Sequence, residues 1–524
     1  NTSFEALFSR LNMDSPKNLY IDQNLLFGDL HNHCGLSYGH GSLKDALKNA
    51  REQLDFCSIT GHAHWPDMPE PDERIQYIID FHEVGFAKLK RDWPQMMETL
   101  QSYNDEEKFV VFPGFEIHSN ADGDRTILYQ NFAGEIIYAD SIPDLHTRLA
   151  ALADDGVETI AFPHHIGYRT GTRGINWATH DPRWGPFVEL LSMHGCSESN
   201  ENTRPFLHSM GGSDWESTIQ YGLAQGHVFG FSGHTDHHSG HPGSYGHGVT
   251  GLWADGRDRK SIWGALQARR CYALTGDRIQ LEYTLNQASM GAVIAPCSLR
   301  EIEVEVHAAG AIDCIDVVKN NELVHRVSQT DITPVEAGDT IRTLIYLELG
   351  WGERNRATPW DVALYISEGM IVREEPRFRG REVVSPVEGA DDTENGFYES
   401  RWQRSDDQSV HFNTVTHSNP NNSTNASQGF CIEIEAPVTA TIQATLNGQL
   451  ATFALRDLIA GARTGHLGGI DSPAYRFHRA PLLHEFHWAF NWTDQGDGED
   501  NYYIRVRQRN DQWAWSSPVF IRNP

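Results

Sequence analysis

The chain has 524 residues, with 42 Lys+Arg against 71 Asp+Glu and a formal net charge of −29. It is too long for one hydrophobic core and long enough for two or three domains. So acidic a chain lacks the electrostatic footprint of a nucleic-acid binder or an anionic-membrane binder. Its seven cysteines are odd in number and dispersed, with no CxxC pair, which argues against a disulfide framework or a thiolate zinc site and for a reducing compartment. The sequence has no run of 18 apolar residues, and its first thirty lack the apolar segment of a secretory leader. A cytoplasmic protein is expected; a leader removed before Asn1 and the oligomeric state stay open.

From residue 24 to about 280, short apolar runs alternate with helical patterns, the signature of βα units. The run 27–30 leads into a Gly- and His-rich loop. Ser42 then stands as an N-cap, and Leu43, Ala46, Leu47, Ala50 and Leu54 lie on one face of a helix. Further runs fall at 55–60, 109–112, 159–162, 187–191 and 228–232, and read as strands of a parallel sheet buried on both faces. After about 280 the runs 279–285, 302–307, 341–349, 362–366, 431–435, 439–446, 502–506 and 519–521 alternate or are β-branched. They predict a mostly antiparallel, sandwich-like region. The polar stretch 389–427 is expected to be a long loop insertion. The expected organisation is thus a metal-binding unit over 1–280 and a β-rich unit over 281–524.

Of 27 histidines, 19 precede residue 281, and the predicted strands end on them. Successive runs terminate in His31 and His33, with His40 beyond; in His62; in Glu116 and His118; in His164 and His165; in Glu189, leading to His194 and Glu198; and in Asp236 and His238. Side chains at i and i+2 share one face of a strand, so His31 and His33 can share an ion. In parallel α/β architectures the carboxyl ends of the strands meet on one face, where sites are built. A lone histidine at a strand end is more often hydrogen-bonded or solvated, and that account suits His82, His146, His180, His208 and the eight histidines after 280. Five strand ends each supplying a ligand type is a different matter. Imidazole and carboxylate without thiolate suit two or three Zn, Mn or Fe ions sharing Glu116 as a bridge. Such a centre points to metal-assisted hydrolysis. His118, His234 and His237 are expected behind the ligands or at the rim.

Asp29-Leu-His-Asn-His33, Ile59-Thr-Gly-His62, Pro113-Gly-Phe-Glu116, Pro163-His164 and Gly233-His-Thr-Asp-His-His238 together resemble the ordered motifs of the PHP (polymerase and histidinol phosphatase) superfamily. Met193-His-Gly-Cys-Ser-Glu198, the tract from Ala268 to Arg278 and Ala514-Trp-Ser-Ser-Pro518 narrow the likeness to the bacterial family called domain of unknown function 3604. The resemblance implies a distorted (β/α)7 barrel and a phosphoesterase whose nucleophile is a hydroxide bridging two or three metal ions. It also implies ligands: His31, His33, Glu116 and Asp236 for one ion, Glu116 and His164 for a second, and His40, His62 and His238 for a third. Two departures stand out. Gly61 occupies the place of a usual Asp, and Gly123-Asp124-Arg125-Thr126 stands where relatives carry Gly-His-Arg-Asn. Asp124, His118 or His165 must then complete the second ion's shell.

For catalysis, Glu116 is the expected bridge, His194 and Glu198 a proton-transfer pair, and Arg125 a contact for an anionic small-molecule substrate, with Arg173, Arg270 and Arg278 nearby. Two alternatives remain: the same ions acting on a carboxylic ester, lactone or amide, and a catalytically degenerate barrel that binds carbohydrate or another ligand.

Overall fold

The computed structural model describes residues 19–350, 356–381, 395–417 and 426–523. Its front half runs β1 (Asn24–Asp29), α1 (Leu43–Gln53), β2 (Phe56–His64), α2 (Gln76–Tyr103), β3 (Val110–Ile117), β4 (Arg125–Tyr129), α3 (Ile142–Asp154), β5 (Thr159–Pro163) and β6 (Phe187–Ser192). There follow β7 (Gly195–Cys196), β8 (Leu207–His208), β9 (Gly211–Gly212), α4 (Ile219–Ala224), β10 (Gly230–Gly233), β11 (Val249–Ala254), α5 (Arg259–Gln267) and β12 (Cys271–Leu274). Ser42 caps α1 by accepting the Asp45 N–H, and Ala46, Leu47 and Ala50 are buried along it. Every residue of β3 is buried, as a strand covered on both faces requires. Among the described residues, no helix is long and apolar enough to cross a membrane.

The sheet differs from the uninterrupted parallel order expected. Its path is β12-β11-β1-β2-β3-β4-β5, while β10-β6-β7 form a separate sheet. Among the described strands of the front half, β1–β2, β2–β3 and β6–β10 are the pairs that run parallel. The short strand β4, absent from the expected elements, enters antiparallel between β3 and β5. Because β4 is reversed, its first residue lies at the carboxyl edge: Arg125 pairs with Ile117 on one side and with Pro163 on the other. The reversal therefore leaves β5 parallel to β3, and both deliver their ends to the same edge.

The second half is strand-rich, and part of it continues the front sheet. Asp500–Gln508, Trp513–Ser516, Val519–Ile521 and Ile312–Lys319 extend from β12, giving one 13-stranded sheet that joins residues from both sides of position 280. Two five-stranded antiparallel sheets lie further on, one centred on Thr340–Leu349 and Gln428–Pro437, the other on Thr358–Ile366 and Ser409–Thr416. They share one apolar core, to which Ile345, Leu347, Val362, Leu364, Phe412 and Phe430 contribute. Strict alternation of buried and exposed residues along Thr358–Ile366 reflects its single covered face. The stretch expected as a loop carries strands at Arg401–Arg404 and Ser409–Thr416. Its parts 389–394 and 418–425 lie outside the described residues.

Candidate metal centre

Register brings the ligand candidates into adjacent rows. His62 on β2 is opposite Glu116 on β3, and Glu116 is opposite Thr126 on β4. His31 and His33 follow β1, His164 follows β5, and the tract after β10 is tied back across them. Asp236 donates its N–H to the His31 carbonyl at 2.8 Å, and His33 donates to the His237 carbonyl at 2.8 Å. Asp236 takes a left-handed φ of 51°, a conformation that Asp tolerates better than most residues. This turn sends its carboxylate back toward β1.

Glu116 is the hub. Its Oε2 lies 3.2 Å from Nε2 of both His31 and His33, and its Oε1 lies 3.2 Å from His164 Nε2 and 3.0 Å from His118 Nδ1. Asp236 Oδ1 closes the first cluster, 3.3 Å from His31 Nε2 and 3.0 Å from His33 Nε2. On a shared ion, bonds of about 2.1 Å put neighbouring ligand atoms about 3.0–3.4 Å apart, and the four separations in this cluster fall in that band. Donors of the second cluster are Glu116, Asp124, His164 and His165; a third brings together His33, His62 and His238. Nε2 of His33 and of His164 make no hydrogen bond, although both are buried. Buried nitrogens that face carboxylate oxygens without bonding to them suit an ion between them. The donor set therefore fits divalent metal.

Protonation follows the same logic. Burial alone raises the Glu116 carboxyl, yet the imidazoles around it, His164 foremost, hold it well below the ordinary carboxylate range. Burial drives His62 and His165 well below the usual imidazole range and takes His238 down to about 3, keeping them neutral as ligands must be. Each of four rings points Nδ1 at an acceptor: His31 at Glu189 Oε2 (2.7 Å), His62 at Ser37 Oγ (3.1 Å), His164 at Thr126 Oγ1 (2.9 Å) and His238 at the Asp236 carbonyl (2.7 Å). With the proton on Nδ1, each Nε2 offers its lone pair to the centre.

Several positions depart from expectation. Arg125 is buried, and its Nη1 donates to the carbonyls of Asp122, Gly123 and Asp124 at 3.2, 2.9 and 3.1 Å. It braces the loop before β4 instead of facing an anion. Glu198 does not pair with His194. It accepts from Tyr503 Oη at 2.7 Å, Trp515 Nε1 at 2.9 Å and Arg505 Nη1 at 3.0 Å, which ties the front half to the C-terminal strands. His194 instead has Nδ1 2.6 Å from Tyr168 Oη and Nε2 2.8 Å from Asp236 Oδ2. His40 is buried beside Phe397 and falls in none of the donor groups. Arg270 pairs with Asp255 near the surface, and Arg278 bonds the Gln53 carbonyl. His234 takes the Leu30 N–H on Nδ1 beneath the centre.

The sequence marks Glu189 only as the end of a run, and leaves Ser37 and Thr126 without roles because neither stands in a metal-ligand spacing. His118 lies inside the centre, with Nδ1 2.8 Å from Asp124 Oδ2. Asp29 anchors the floor: Thr235 Oγ1 and the N–H groups of His31, Thr235 and Gly243 all donate to it. Burial still raises its carboxyl to about 6.

No protein-family model matches the chain. Uncharacterized proteins of Chlamydia pneumoniae, Chlamydia trachomatis serovar D and Chlamydia muridarum are each 24% identical to it, over 44%, 58% and 58% of this chain and 40%, 48% and 48% of their own. The chain thus spans less than half the length of these curated relatives. The crystal structure of a two-domain protein containing a predicted PHP-like metal-dependent phosphoesterase, from Bacteroides vulgatus, covers 57% of this chain and 80% of its own at 15% identity, with a TM-score of 0.31.

Proposed function

We propose that the protein is a metal-dependent hydrolase, a phosphoesterase acting on a small anionic substrate, with residues 1–280 as a PHP-type catalytic barrel and 281–524 as its β-rich companion. The observation that supports this most is the cluster His31, His33, Glu116 and Asp236, whose imidazole nitrogens lie 3.0–3.3 Å from the carboxylate oxygens. These four would hold one ion, Glu116 Oε1 and His164 a second with His165 beside them, and His62 and His238 a third. Bound divalent ions supply Lewis acidity and make water acidic enough to act as a nucleophile near neutral pH.

The chain's own residues do the rest. Glu116 offers one oxygen to each of two clusters and so fixes their spacing. Glu189 fixes the His31 ring and, through Oε1, also accepts the His165 N–H at 2.9 Å. With Tyr168 donating to Nδ1, His194 carries its proton on Nε2 against Asp236, where it can be passed to a leaving oxygen.

Elemental analysis of purified protein tests the centre, with about two to three equivalents of transition metal expected. Hydrolysis of p-nitrophenyl phosphate, abolished by Glu116→Ala, is the expected activity. Turnover of p-nitrophenyl acetate alone, equally abolished, overturns the phosphoesterase assignment in favour of a carboxylic esterase. Less than one equivalent of metal, with no gain on reconstitution, favours a ligand-binding protein.

A further inference from the structure

Arg173 stands inside the donor cluster. Its Nε donates to Asp124 Oδ2 at 2.8 Å, and its Nη2 bonds the same oxygen. That Nη2 also reaches His118 Nδ1 and lies 3.7 Å from Glu116 Oε1. Three donor atoms from one side of the centre therefore converge on a guanidinium nitrogen, as they would on a metal cation. The remaining oxygen of Asp124 is engaged too, since Oδ1 accepts the Ser119 N–H at 2.9 Å. Both carboxylate oxygens of Asp124 are thus engaged by donors.

The arginine is held there by more than its charge. Its backbone adopts φ 68°, a left-handed conformation uncommon outside glycine. The Trp65 ring lies 5.2 Å from its guanidinium carbon, within cation–π range, and Nη1 rests 2.9 Å from Met210 Sδ. An ion bonded to Asp124 Oδ2 would sit about 2.1 Å from that oxygen, against a permanently charged group that cannot shed its proton. The two cations compete for one place.

We propose that the Arg173 guanidinium fills the cation position formed by Asp124, His118 and Glu116 Oε1, and that this closes one end of the centre to a divalent ion. The inference rests on the metal-centre reading above and deepens it. Asp124 is then the counter-ion of a built-in cation, and the ions reside on His31, His33, Glu116 and Asp236 and on the histidines beside them.

The test is the number of ions bound by the wild type and by Arg173→Met, titrated with Mn²⁺ or Zn²⁺ and counted by elemental analysis after gel filtration. One more equivalent per chain is expected for Arg173→Met, reversed in Arg173→Ala when free guanidinium is added. Equal, non-zero counts overturn this inference alone. No metal on either chain overturns the metal-centre reading with it. Should the variants be unfolded without metal, the proposal requires that Mn²⁺ or Zn²⁺ refold them; chains that stay unfolded with metal overturn it.

Discussion

The Ser37 hydroxyl stands 3.1 Å from His62 Nδ1 and 3.0 Å from the backbone nitrogen of the same histidine. One serine on the loop after β1 thus fixes both the ring and the chain at the end of β2. Gly61, next to that histidine in the chain, offers no side chain that could do so. A Cβ at Gly61 would come 2.9 Å from Leu89 Cδ1 and 3.3 Å from Ser37 Cβ, so these side chains would have to shift to admit one. Removing an acceptor that orients a ligand histidine typically costs about 10–100-fold in metal affinity. Ser37→Ala is therefore expected to weaken the ion held by His62 by about 10-fold or more with the fold intact, measured by competition with a metal-binding dye. Unchanged affinity would show that packing against Tyr38, 3.6 Å between ring centroids, is enough to hold the ring.

Glu116→Gln keeps the shape of the hub and removes its charge. Two clusters then lose their shared ligand, so metal content is expected to fall by at least one equivalent per chain and hydrolysis by about 100-fold or more. Elemental analysis read beside circular dichroism separates this from unfolding. Full metal content in the variant would remove Glu116 from the role of bridge.

Glu198 carries a different expectation, since its partners lie on the C-terminal strands and not in the centre. Its carboxylate is the acceptor for Tyr503, Trp515 and Arg505. Glu198→Ala leaves two buried donors without a partner, while Arg505 keeps Asp316 at 2.8 Å. A loss of about 2–4 kcal/mol in stability is expected, seen as a lower denaturation midpoint, with metal content unchanged. A variant as stable as the wild type but inactive would return Glu198 to catalysis.

What was legible in the sequence is what local spacing encodes. His31 and His33 share a strand face, and the ends at His62, Glu116, His164 and Asp236 were marked by the apolar runs before them. The alternation after residue 280 announced the β-rich half. What stayed hidden depends on pairing between distant segments. Nothing near residue 125 reveals that β4 enters antiparallel, and that reversal is what places Asp124 beside His118 and Arg173. Arg125 and Arg173 look alike in sequence; only the fold turns one onto backbone carbonyls and the other onto a carboxylate. Ser37, Thr126 and Glu189 act through a neighbour's ring, a role that leaves no spacing to read.

Far from the centre, Glu433 is buried between two arginines and a histidine, with Arg342 Nε at 2.5 Å, Arg373 Nε at 3.2 Å and His307 Nε2 at 2.9 Å. Burial opposes its ionisation, but these partners prevail and bring its carboxyl from 4.5 down to about 2. A carboxyl lowered on folding contributes stability that is present above its unfolded value and lost as pH falls through the folded one. The window is therefore pH 4.5 to about 2. Glu433→Gln is expected to lower stability at neutral pH by on the order of 2–3 kcal/mol and to flatten the acid limb in that window, read from denaturation midpoints against pH. An unchanged acid limb would assign that limb to other carboxylates.

Glu282 has the opposite sign. It pairs directly across the strands with Glu305, and burial, followed by that neighbouring charge, raises its carboxyl from 4.5 to about 7. A group raised on folding contributes stability fully present below its unfolded value and lost as pH rises through the folded one. Between pH 4.5 and about 7 the protein must therefore lose part of the support that Glu282 gives when protonated. Glu305 in turn stands 2.9 Å from His487 Nε2. Glu282→Gln fixes the neutral form at every pH. It is expected to match the wild type near pH 4 and exceed it in midpoint at pH 8, and equal midpoints at pH 8 would mean that solvent reaches Glu282 and screens it from Glu305.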